Sequence, residues 1–170
     1  GKTAMKRVAL LGMPNTGKST FFNRVSGASA RVGNWPGITV DLMRAKILLG
    51  GHIAELIDLP GIYDLHGFSD DEQVVRHFLT ATKVDLIIIV ANSSQIDRQL
   101  SLALQLKSLG LPSMLLLNMS DEAKRSGIRI DTKKMSEKLG MPVLQISAKY
   151  GENCPSALKT ASALLGTQLS

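Results

Sequence analysis

Short apolar runs alternate along this chain with longer segments in which apolar residues recur at helical spacing. The runs predict buried strands and the amphipathic segments predict helices. Gly50 and Gly51 separate the second and third strands and are typical of a hairpin, so strand two is expected to lie antiparallel at the edge of the sheet. Strands are predicted near residues 5–11, 39–49, 52–58, 84–91, 113–118 and 142–146, and helices near 18–27, 70–82, 96–109, 121–126, 131–139 and 153–165.

This order of elements predicts a single α/β domain. Its sheet is expected to be six-stranded and mostly parallel, with helices on both faces. Ligand-binding loops of such a sheet gather at the carboxyl ends of the parallel strands. The loops from about 29 to 39 and from 62 to 70 are expected to be the mobile parts.

The segment from Gly12 to Ser19 reads G-M-P-N-T-G-K-S directly after the first apolar run. This is the G-x-x-x-x-G-K-[ST] pattern at the end of a strand, where backbone N–H groups can surround phosphates. Lys18 would reach the terminal phosphates, and the Ser19 hydroxyl would ligate Mg²⁺. A glycine-rich turn without a ligand is the alternative, but the Lys-Ser pair argues against it. The segment therefore predicts nucleoside triphosphate binding.

A second segment indicates which base is bound. Asn118-Met119-Ser120-Asp121 follows the apolar strand at 114–117 and resembles the N-K-x-D motif of Ras-like GTPases, with Met119 in the lysine position. Asp121 would accept from the ring N–H and the exocyclic amine of guanine, a pair of donors that adenine lacks. Asn118 would tie this loop to the phosphate loop. Alternatively, the segment is a polar turn in which Asp121 caps a helix.

Two further segments match the same kind of enzyme. The D-L-P-G sequence at 58–61 fits D-x-x-G, so that Asp58 would hold Mg²⁺ through a water and the Gly61 amide would sense the γ-phosphate, although an ordinary turn also fits. The loop at 32–41 lies where a switch belongs. Thr39 there would offer Mg²⁺ a second hydroxyl.

The Ser147-Ala148-Lys149 segment follows the strand at 143–146 and looks like the S-A-K loop of the same superfamily. In that loop the Ala148 amide would donate to the keto oxygen of guanine. Four motifs in the correct order, each after a predicted strand, make GTP the expected ligand.

Trp35, the only tryptophan, lies within the predicted switch loop. It would serve either as a core anchor or as a surface residue. The N-W-P-G context favours a surface loop.

Composition and charge narrow the function classes. The chain has 170 residues, of which 44% are hydrophobic and 20% are charged, as in a single globular domain. The net charge of +6 is compatible with an anionic partner, but the basic residues are scattered, which favours a solvated surface. One cysteine excludes an internal disulfide, and Cys154 is expected to pack at a helix start. No run approaches the roughly 20 apolar residues that cross a bilayer. The three histidines lie apart from other metal ligands, so no Fe²⁺ site is expected in this piece.

The sequences G-M-P-N-T-G-K-S-T-F-F-N, V-G-N-W-P-G-I-T-V-D, D-L-P-G-I-Y-D-L and N-M-S-D-E-A-K-R-S-G-I-R-I-D together resemble the G domain of FeoB-type ferrous iron transporters. These belong to the Ras-like, TrmE-Era-like P-loop GTPases. The likeness runs from about Met5 to about Leu165. It implies the Ras-like P-loop GTPase fold, with GTP or GDP and Mg²⁺ as ligands, and slow hydrolysis that regulates Fe²⁺ uptake.

The resemblance also implies a cellular setting. Residues 5–166 would form a soluble G domain at the cytoplasmic side of the bacterial inner membrane, and residues 1–4 would be a cloning remnant. The implied partners are the transporter's own helical and membrane domains, with a homo-oligomer formed through the full-length protein. No nucleic acid is expected as a partner.

Two positions bear on hydrolysis. Ile62 stands where Ras-like enzymes place a water-orienting glutamine, so it is expected only to pack under the switch. Water would then be positioned by backbone groups, by Thr39 or by an outside partner, and turnover would be slow. The resemblance suggests that Asn15 ligates K⁺, which would neutralise charge as an arginine finger does. Alternatively, Asn15 bonds only its own loop.

Two other functions fit the same motifs. One is an Era- or TrmE-like switch that acts on RNA or the ribosome, and the other is a nucleotide binder that barely turns over. The W-P-G switch and the N-M-x-D loop favour the iron transporter. The catalytic candidates are Lys18, Thr39, Gly61 and Asn15. The nucleotide-contacting candidates are Gly12, Asn15, Thr16, Gly17, Lys18, Ser19, Thr20, Gly37, Ile38, Thr39, Asp58, Gly61, Asn118, Met119, Asp121, Ser147, Ala148 and Lys149.

Overall fold

A computed structural model describes residues 5–166, so the expected cloning remnant at 1–4 lies outside the described residues. Over this range the chain forms a seven-stranded sheet in the order β2-β3-β4-β1-β5-β6-β7. The strands are β1 Lys6–Gly12, β2 Arg31–Gly33, β3 Leu42–Leu49, β4 His52–Asp58, β5 Leu86–Asn92, β6 Ser113–Asn118 and β7 Val143–Gln145. The helices are α1 Lys18–Ser26, α2 Asp70–Ala81, α3 Ile96–Lys107, α4 Ser120–Arg125, α5 Thr132–Leu139 and α6 Cys154–Leu165, with short 3₁₀ turns at Gly27–Ser29 and Ser93–Gln95.

The centre of the sheet is parallel. Strand β1 pairs with β4 on one side and with β5 on the other, and β6 and β7 follow in the same direction. Strands β5 and β6 are buried along almost their whole length because helices cover both faces of the sheet. The predicted α/β class and mostly parallel sheet are therefore confirmed.

The predicted number of strands was wrong. Strand β3 begins at Leu42 instead of 39, and it does not lie at the edge, because the three-residue strand β2 pairs antiparallel with it. Strand β3 also pairs antiparallel with β4 across the Gly50-Gly51 hairpin, as predicted. Strand β2 is short and largely exposed, so no apolar run marks it in the sequence.

Two apolar layers hold the helices to the sheet. Helices α2, α3 and α5 cover one face, where Phe78 and Leu106 are fully buried. Helices α1 and α6 cover the other face, where Phe21 and Phe22 pack with Ala161. No helix within residues 5–166 has the length and apolar character that a membrane crossing requires.

Helix α2 starts where its sequence predicts. The Ser69 side chain accepts from the Glu72 amide, and the Glu72 carboxylate accepts from the Ser69 amide. This reciprocal capping box satisfies amide groups at the helix start that would otherwise lack partners. It fixes the end of the loop that leads out of β4.

Candidate nucleotide-binding site

The phosphate-loop segment connects the carboxyl end of β1 to the start of α1. Asn15 and Gly17 have φ angles of 64° and 81°, in the left-handed region that few side chains tolerate. A Cβ atom on Gly12 would lie 2.4 Å from the carbonyl oxygen of Val90. The loop therefore needs glycine at both motif positions, for close packing at Gly12 and for the turn into α1 at Gly17.

Lys18 points back toward the D-L-P-G segment. Its Nζ atom contacts a carboxylate oxygen of Asp58 and donates to the carbonyl oxygen of Leu59 at 2.6 Å. Both charged side chains are largely buried, so this pair lies in a region of reduced solvent screening. The structure brings the two predicted residues together.

The hydroxyl groups and the carboxylate at this end of the sheet suit a magnesium ion. Mg²⁺ prefers oxygen ligands, and Ser19 and Asp58 offer a hydroxyl and a carboxylate beside the start of α1. Ser19 and Thr20 are exposed, as is the Asn15 side chain, which makes no hydrogen bond within the described range 5–166. The alternative that Asn15 bonds its own loop is therefore not observed.

The D-L-P-G segment lies against the phosphate loop. The Ile62 amide donates to the carbonyl oxygen of Gly12 at 3.0 Å, and the Leu59 amide donates to that of Leu10 at 3.1 Å. A Cβ on Gly61 would lie 3.0 Å from the Pro14 nitrogen, so only glycine fits here without displacement. The Ile62 side chain is 1% exposed and packs in the core, as predicted.

Asn118 joins three loops. Its side-chain nitrogen donates to the carbonyl oxygen of Thr16 at 2.8 Å, and its side-chain oxygen accepts from the Ala148 amide at 2.9 Å. The predicted tie between this loop and the phosphate loop is thus present. The Ala148 amide, expected to donate to a guanine keto oxygen, donates to Asn118 in this structure.

Asp121 is not a helix cap, which removes the alternative considered for it. Helix α4 begins at Ser120, and its N-cap is Met119, whose φ of 62° lies in the left-handed region. The Asp121 side chain is 19% exposed and lies 3.6 Å from the guanidinium of Arg125. The carboxylate is therefore partly buried, three residues after Asn118 in the chain.

The loop at 147–149 is held from two sides. On one side, the amide of Gly151, two residues after the loop, donates to the Ser147 carbonyl oxygen at 2.7 Å. From helix α1, Arg24 donates to the carbonyl oxygens of Ala148 and Lys149 at 2.6 and 2.8 Å. Sequence reasoning missed Arg24, since an arginine in the last turn of a helix carries no signal for a partner more than 120 residues away.

The prediction of a surface position for Trp35 was wrong. Trp35 lies in a loop, but its side chain is 8% exposed and packs with Phe78 at 5.1 Å between ring centroids. The guanidinium groups of Arg7 and Arg44 lie 5.7 and 5.3 Å from the indole centroid. The indole N–H donates to the Thr82 hydroxyl at 3.2 Å, so three separate elements form the pocket for this ring.

Thr39 lies in the loop between β2 and β3 and faces helix α2. It lines a groove against helix α2, together with Gly37, Ile38 and residues that include His77, and no phosphate-loop residue lines that groove. Gly37 has a φ of 77°, and a Cβ there would meet the His77 ring at 2.7 Å.

The loop from Tyr63 to Ser69 is highly hydrogen-bonded. Gln105 of α3 accepts from the Leu65 amide and donates to the Asp64 carboxylate, at 2.8 and 3.0 Å. The His66 amide donates to Asp64, which lowers the pKa of that carboxyl. The Ser69 hydroxyl in the same way lowers the pKa of Glu72. This loop was predicted to be mobile without any sign of these partners.

Cys154 is buried at the first position of α6, as predicted. Burial raises the pKa of its thiol. Its Sγ atom lies 3.8 Å from the carbonyl oxygen of Ser147, so it packs beneath the loop at 147–149.

Several known proteins are similar to this chain in sequence. The sequence model of the family described as ferrous iron transport protein B matches residues 6–161. The chain is 56% identical over 153 residues to the Fe(2+) transporter FeoB of Synechocystis sp., covering 90% of this chain and 25% of that protein. It is 42% identical to the Campylobacter jejuni transporter of the same name, covering 86% of this chain and 24% of that protein. The chain thus spans about a quarter of the length of these curated relatives.

Solved structures show the same fold. The cytosolic domain of L. pneumophila FeoB superimposes with a TM-score of 0.89 at 40% identity, covering 94% of this chain and 63% of that one. The G domain of T. maritima FeoB gives a TM-score of 0.83 at 36% identity, covering 95% and 99%. A mutant of S. thermophilus NFeoB bound to GDP gives a TM-score of 0.88 at 34% identity, covering 98% and 65%.

Proposed function

Because the chain belongs to the ferrous iron transport protein B family, we propose that it is the guanine-nucleotide-binding domain of a ferrous iron transporter. The observation that carries this proposal is the position of Asn118, which is hydrogen-bonded both to the phosphate loop and to the loop at 147–149. That bridge places a candidate base-reading loop at a fixed distance from a candidate phosphate loop. A single nucleotide then spans the two.

In the proposed complex the base is read by Asp121 and by the loop at 147–149. The Asp121 carboxylate accepts from the two guanine donors, and Met119 lies along the purine face. The Ala148 amide donates to the keto oxygen. To do so, it either donates to the keto oxygen and Asn118 at once or gives up its hydrogen bond to Asn118. A base without the two donors leaves the carboxylate unpaired, which disfavours ATP.

The phosphates are held by the loop from Gly12 to Ser19. Backbone N–H groups and the start of α1 face the anion, and Lys18 moves from Asp58 to the terminal phosphates. Ser19, Asp58 and Thr39 are the residues that would hold Mg²⁺, which neutralises charge on the phosphates. Thr39, which lines the groove against α2, would offer the second hydroxyl.

Hydrolysis is proposed to be slow and to be stimulated by potassium. The buried, apolar Ile62 side chain offers no group that orients water, so Thr39 and backbone groups such as the Gly61 amide remain for that task. The exposed Asn15 side chain, which makes no hydrogen bond within residues 5–166, offers an amide oxygen next to the phosphates as a K⁺ ligand.

In the full-length protein this domain is proposed to lie at the cytoplasmic side of the inner membrane. Its nucleotide state would regulate Fe²⁺ uptake by the helical and membrane domains, with homo-oligomers formed through the complete transporter. Replacing Lys18 by alanine in the complete transporter should then lower cellular Fe²⁺ uptake without lowering the amount of protein in the membrane.

Calorimetry with GTP, ATP and XTP in the presence of Mg²⁺ tests the binding proposal. Wild type should bind GTP and exclude ATP, and Asp121→Asn should shift the preference to XTP, since an amide can donate to the additional keto group of xanthine. Glu122→Gln, one residue along α4, is the matched control and should keep the preference for GTP. Equal binding of ATP and GTP by wild type would overturn the proposal.

Turnover in KCl and in NaCl tests the hydrolysis proposal. KCl should accelerate wild type, and Asn15→Ala should lose this difference while Asn23→Ala, an exposed position on α1, keeps it. Equal rates in the two salts would overturn the role of potassium. Rapid single-turnover hydrolysis in NaCl would overturn the slow intrinsic rate.

A further inference from the structure

A closed ring of contacts links the loops of the proposed nucleotide site. Asn118 donates to Thr16, Ala148 donates to Asn118, and the carbonyl oxygen of the same Ala148 accepts from Arg24 at 2.6 Å. Arg24 lies in the last turn of α1, and α1 starts at Lys18, two residues after Thr16. The contacts therefore run from the phosphate loop through the buried Asn118 side chain to the loop at 147–149. From there they run through Arg24 and helix α1 back to the phosphate loop.

Arg24 is the only member of this ring outside the predicted nucleotide motifs. Its Nε atom donates to Ala148 and its Nη2 atom donates to Lys149 at 2.8 Å, so one planar guanidinium holds two successive carbonyl groups. The remaining nitrogen lies beside Gly151, where a Cβ would come within 2.8 Å of it. A lysine has a single ammonium group and cannot reproduce this fork.

The ring is unevenly protected from water. The bonds of Asn118 to Thr16 and to Ala148 are buried, whereas the bond from Arg24 to Ala148 is only partly buried and its second bond, to Lys149, is exposed. Exposed hydrogen bonds contribute less because water competes for the same donors and acceptors. The ring should therefore open first at the hydrogen bonds of Arg24, which have the lowest local stability.

We propose that Arg24 is a positioning residue that holds the loop at 147–149 against α1 and thereby slows the release of guanine nucleotide. This inference rests on the proposed function. When the hydrogen bonds of Arg24 break, Ala148 and Lys149 move away from the base. Lys18 and Ser19, at the opposite end of α1, stay in place. Arg24 thus acts on the base side of the site and leaves the phosphate side intact.

This separation predicts a specific kinetic pattern. Arg24→Met keeps a long aliphatic side chain and removes both hydrogen bonds. It should accelerate GDP release about five- to tenfold, which corresponds to roughly 1 to 1.4 kcal/mol at a tenfold change per 1.4 kcal/mol. Arg24→Lys should fall between wild type and Arg24→Met, because one ammonium can serve only part of the fork. Single-turnover GTP hydrolysis should stay within about twofold of wild type, since the phosphate contacts do not change.

The experiment is stopped-flow release of a fluorescent GDP analogue from wild type, Arg24→Met, Arg24→Lys and Arg98→Met. Arg98 is an exposed arginine of α3 and serves as the control for loss of one positive charge. The expected result is faster release from the two Arg24 variants alone. If Arg24→Met folds poorly, as judged by its melting temperature, the lysine variant decides the outcome.

Three results would overturn the proposal. They are a release rate of Arg24→Met equal to that of wild type, an equal acceleration in Arg98→Met, and a loss of single-turnover hydrolysis in parallel with release. A wild-type chain that binds no guanine nucleotide would instead refute the proposed function itself, and that outcome is visible before any variant is made.

Discussion

The side-chain amide of Asn118 donates to the carbonyl oxygen of Thr16 at 2.8 Å, across 102 positions of sequence. The bond is buried, and the same side chain also accepts from a third loop. One residue at the end of β6 thus determines the spacing of loops that follow three different strands. Asn118 therefore stabilises the arrangement of these loops.

Asn118→Ala should lower the free energy of unfolding. The substitution leaves two buried backbone groups without partners, each worth about 1–3 kcal/mol, so a loss of about 3 kcal/mol is expected. Urea denaturation of the chain without nucleotide measures it, with the exposed Asn23→Ala as control. A loss no larger than that of the control would show that water replaces the two bonds.

Gly17→Ala should destabilise the protein far more than Gly110→Ala. Both glycines have left-handed backbone, with φ angles of 81° and 77°, so both variants bear a similar backbone cost of about 1 kcal/mol. Only at Gly17 would the added methyl group lie 2.1 Å from the Asn118 amide nitrogen, while Gly110 faces open space. The steric conflict should add about 2 kcal/mol.

Thermal unfolding and GTP affinity of the two glycine variants provide the measurement. Gly110→Ala should bind GTP as wild type does, whereas Gly17→Ala should bind it weakly because Asn118 is displaced. Equal behaviour of the two variants would contradict the packing argument.

Glu55→Gln should loosen the pocket around Trp35. Glu55 is 5% exposed and lies 3.5 Å from both Arg7 and Arg44, whose guanidinium groups lie near the indole ring. Both arginines are partly exposed, so the loss should be moderate, about 1–2 kcal/mol. Because Trp35 is the only tryptophan, its fluorescence reports the pocket directly and should shift to longer wavelength. An unchanged spectrum in Glu55→Gln, as expected for the exposed Glu137→Gln, would argue against this linkage.

Glu72→Gln should make stability less dependent on pH in the acid range. The Ser69 hydroxyl bond lowers the pKa of Glu72 below its ordinary value of 4.5. A group with a lowered folded pKa stabilises the protein above its unfolded pKa and loses that contribution as the pH falls through the folded value. The melting temperature of wild type should therefore exceed that of Glu72→Gln at pH 7, and the gap should close below pH 4.5. A gap that does not narrow as the pH falls below 4.5 would show that the charge of Glu72 is not its source.

The strands and helices with strong local patterns were predictable. The apolar runs that became β5 and β6 are buried on both faces, and Ser69 with Glu72 marks the start of α2 in the sequence itself. Strand β2 was not predictable, because Arg31, Val32 and Gly33 carry no strand pattern. It forms only because β3 offers an unpaired edge.

In the candidate site, too, residues with a local sequence signal could be predicted, and residues whose partners are distant in sequence could not. The motif residues could be located from their spacing after strands, since loops of a parallel sheet meet at one edge. Trp35 was misjudged because its neighbours suggest a surface loop, while its pocket comes from α2, β1 and β3. Arg24 and Gln105 were missed because Arg24 donates to backbone carbonyl groups and Gln105 accepts from a backbone amide, and backbone partners carry no sequence signal.

The burial of Trp35 limits how far Thr39 can travel. While the indole stays in its pocket, Thr39 moves on a tether of four residues, and an extended chain gains at most about 3.5 Å per residue. Thr39 can therefore reach points within roughly 14 Å of Trp35 and none beyond. Strand β3 begins at Leu42, so Thr39 is also held from the other side by three residues. Lengthening the segment between Trp35 and Thr39 by one residue would enlarge the first radius without altering a contact of the indole, while the second limit would stay.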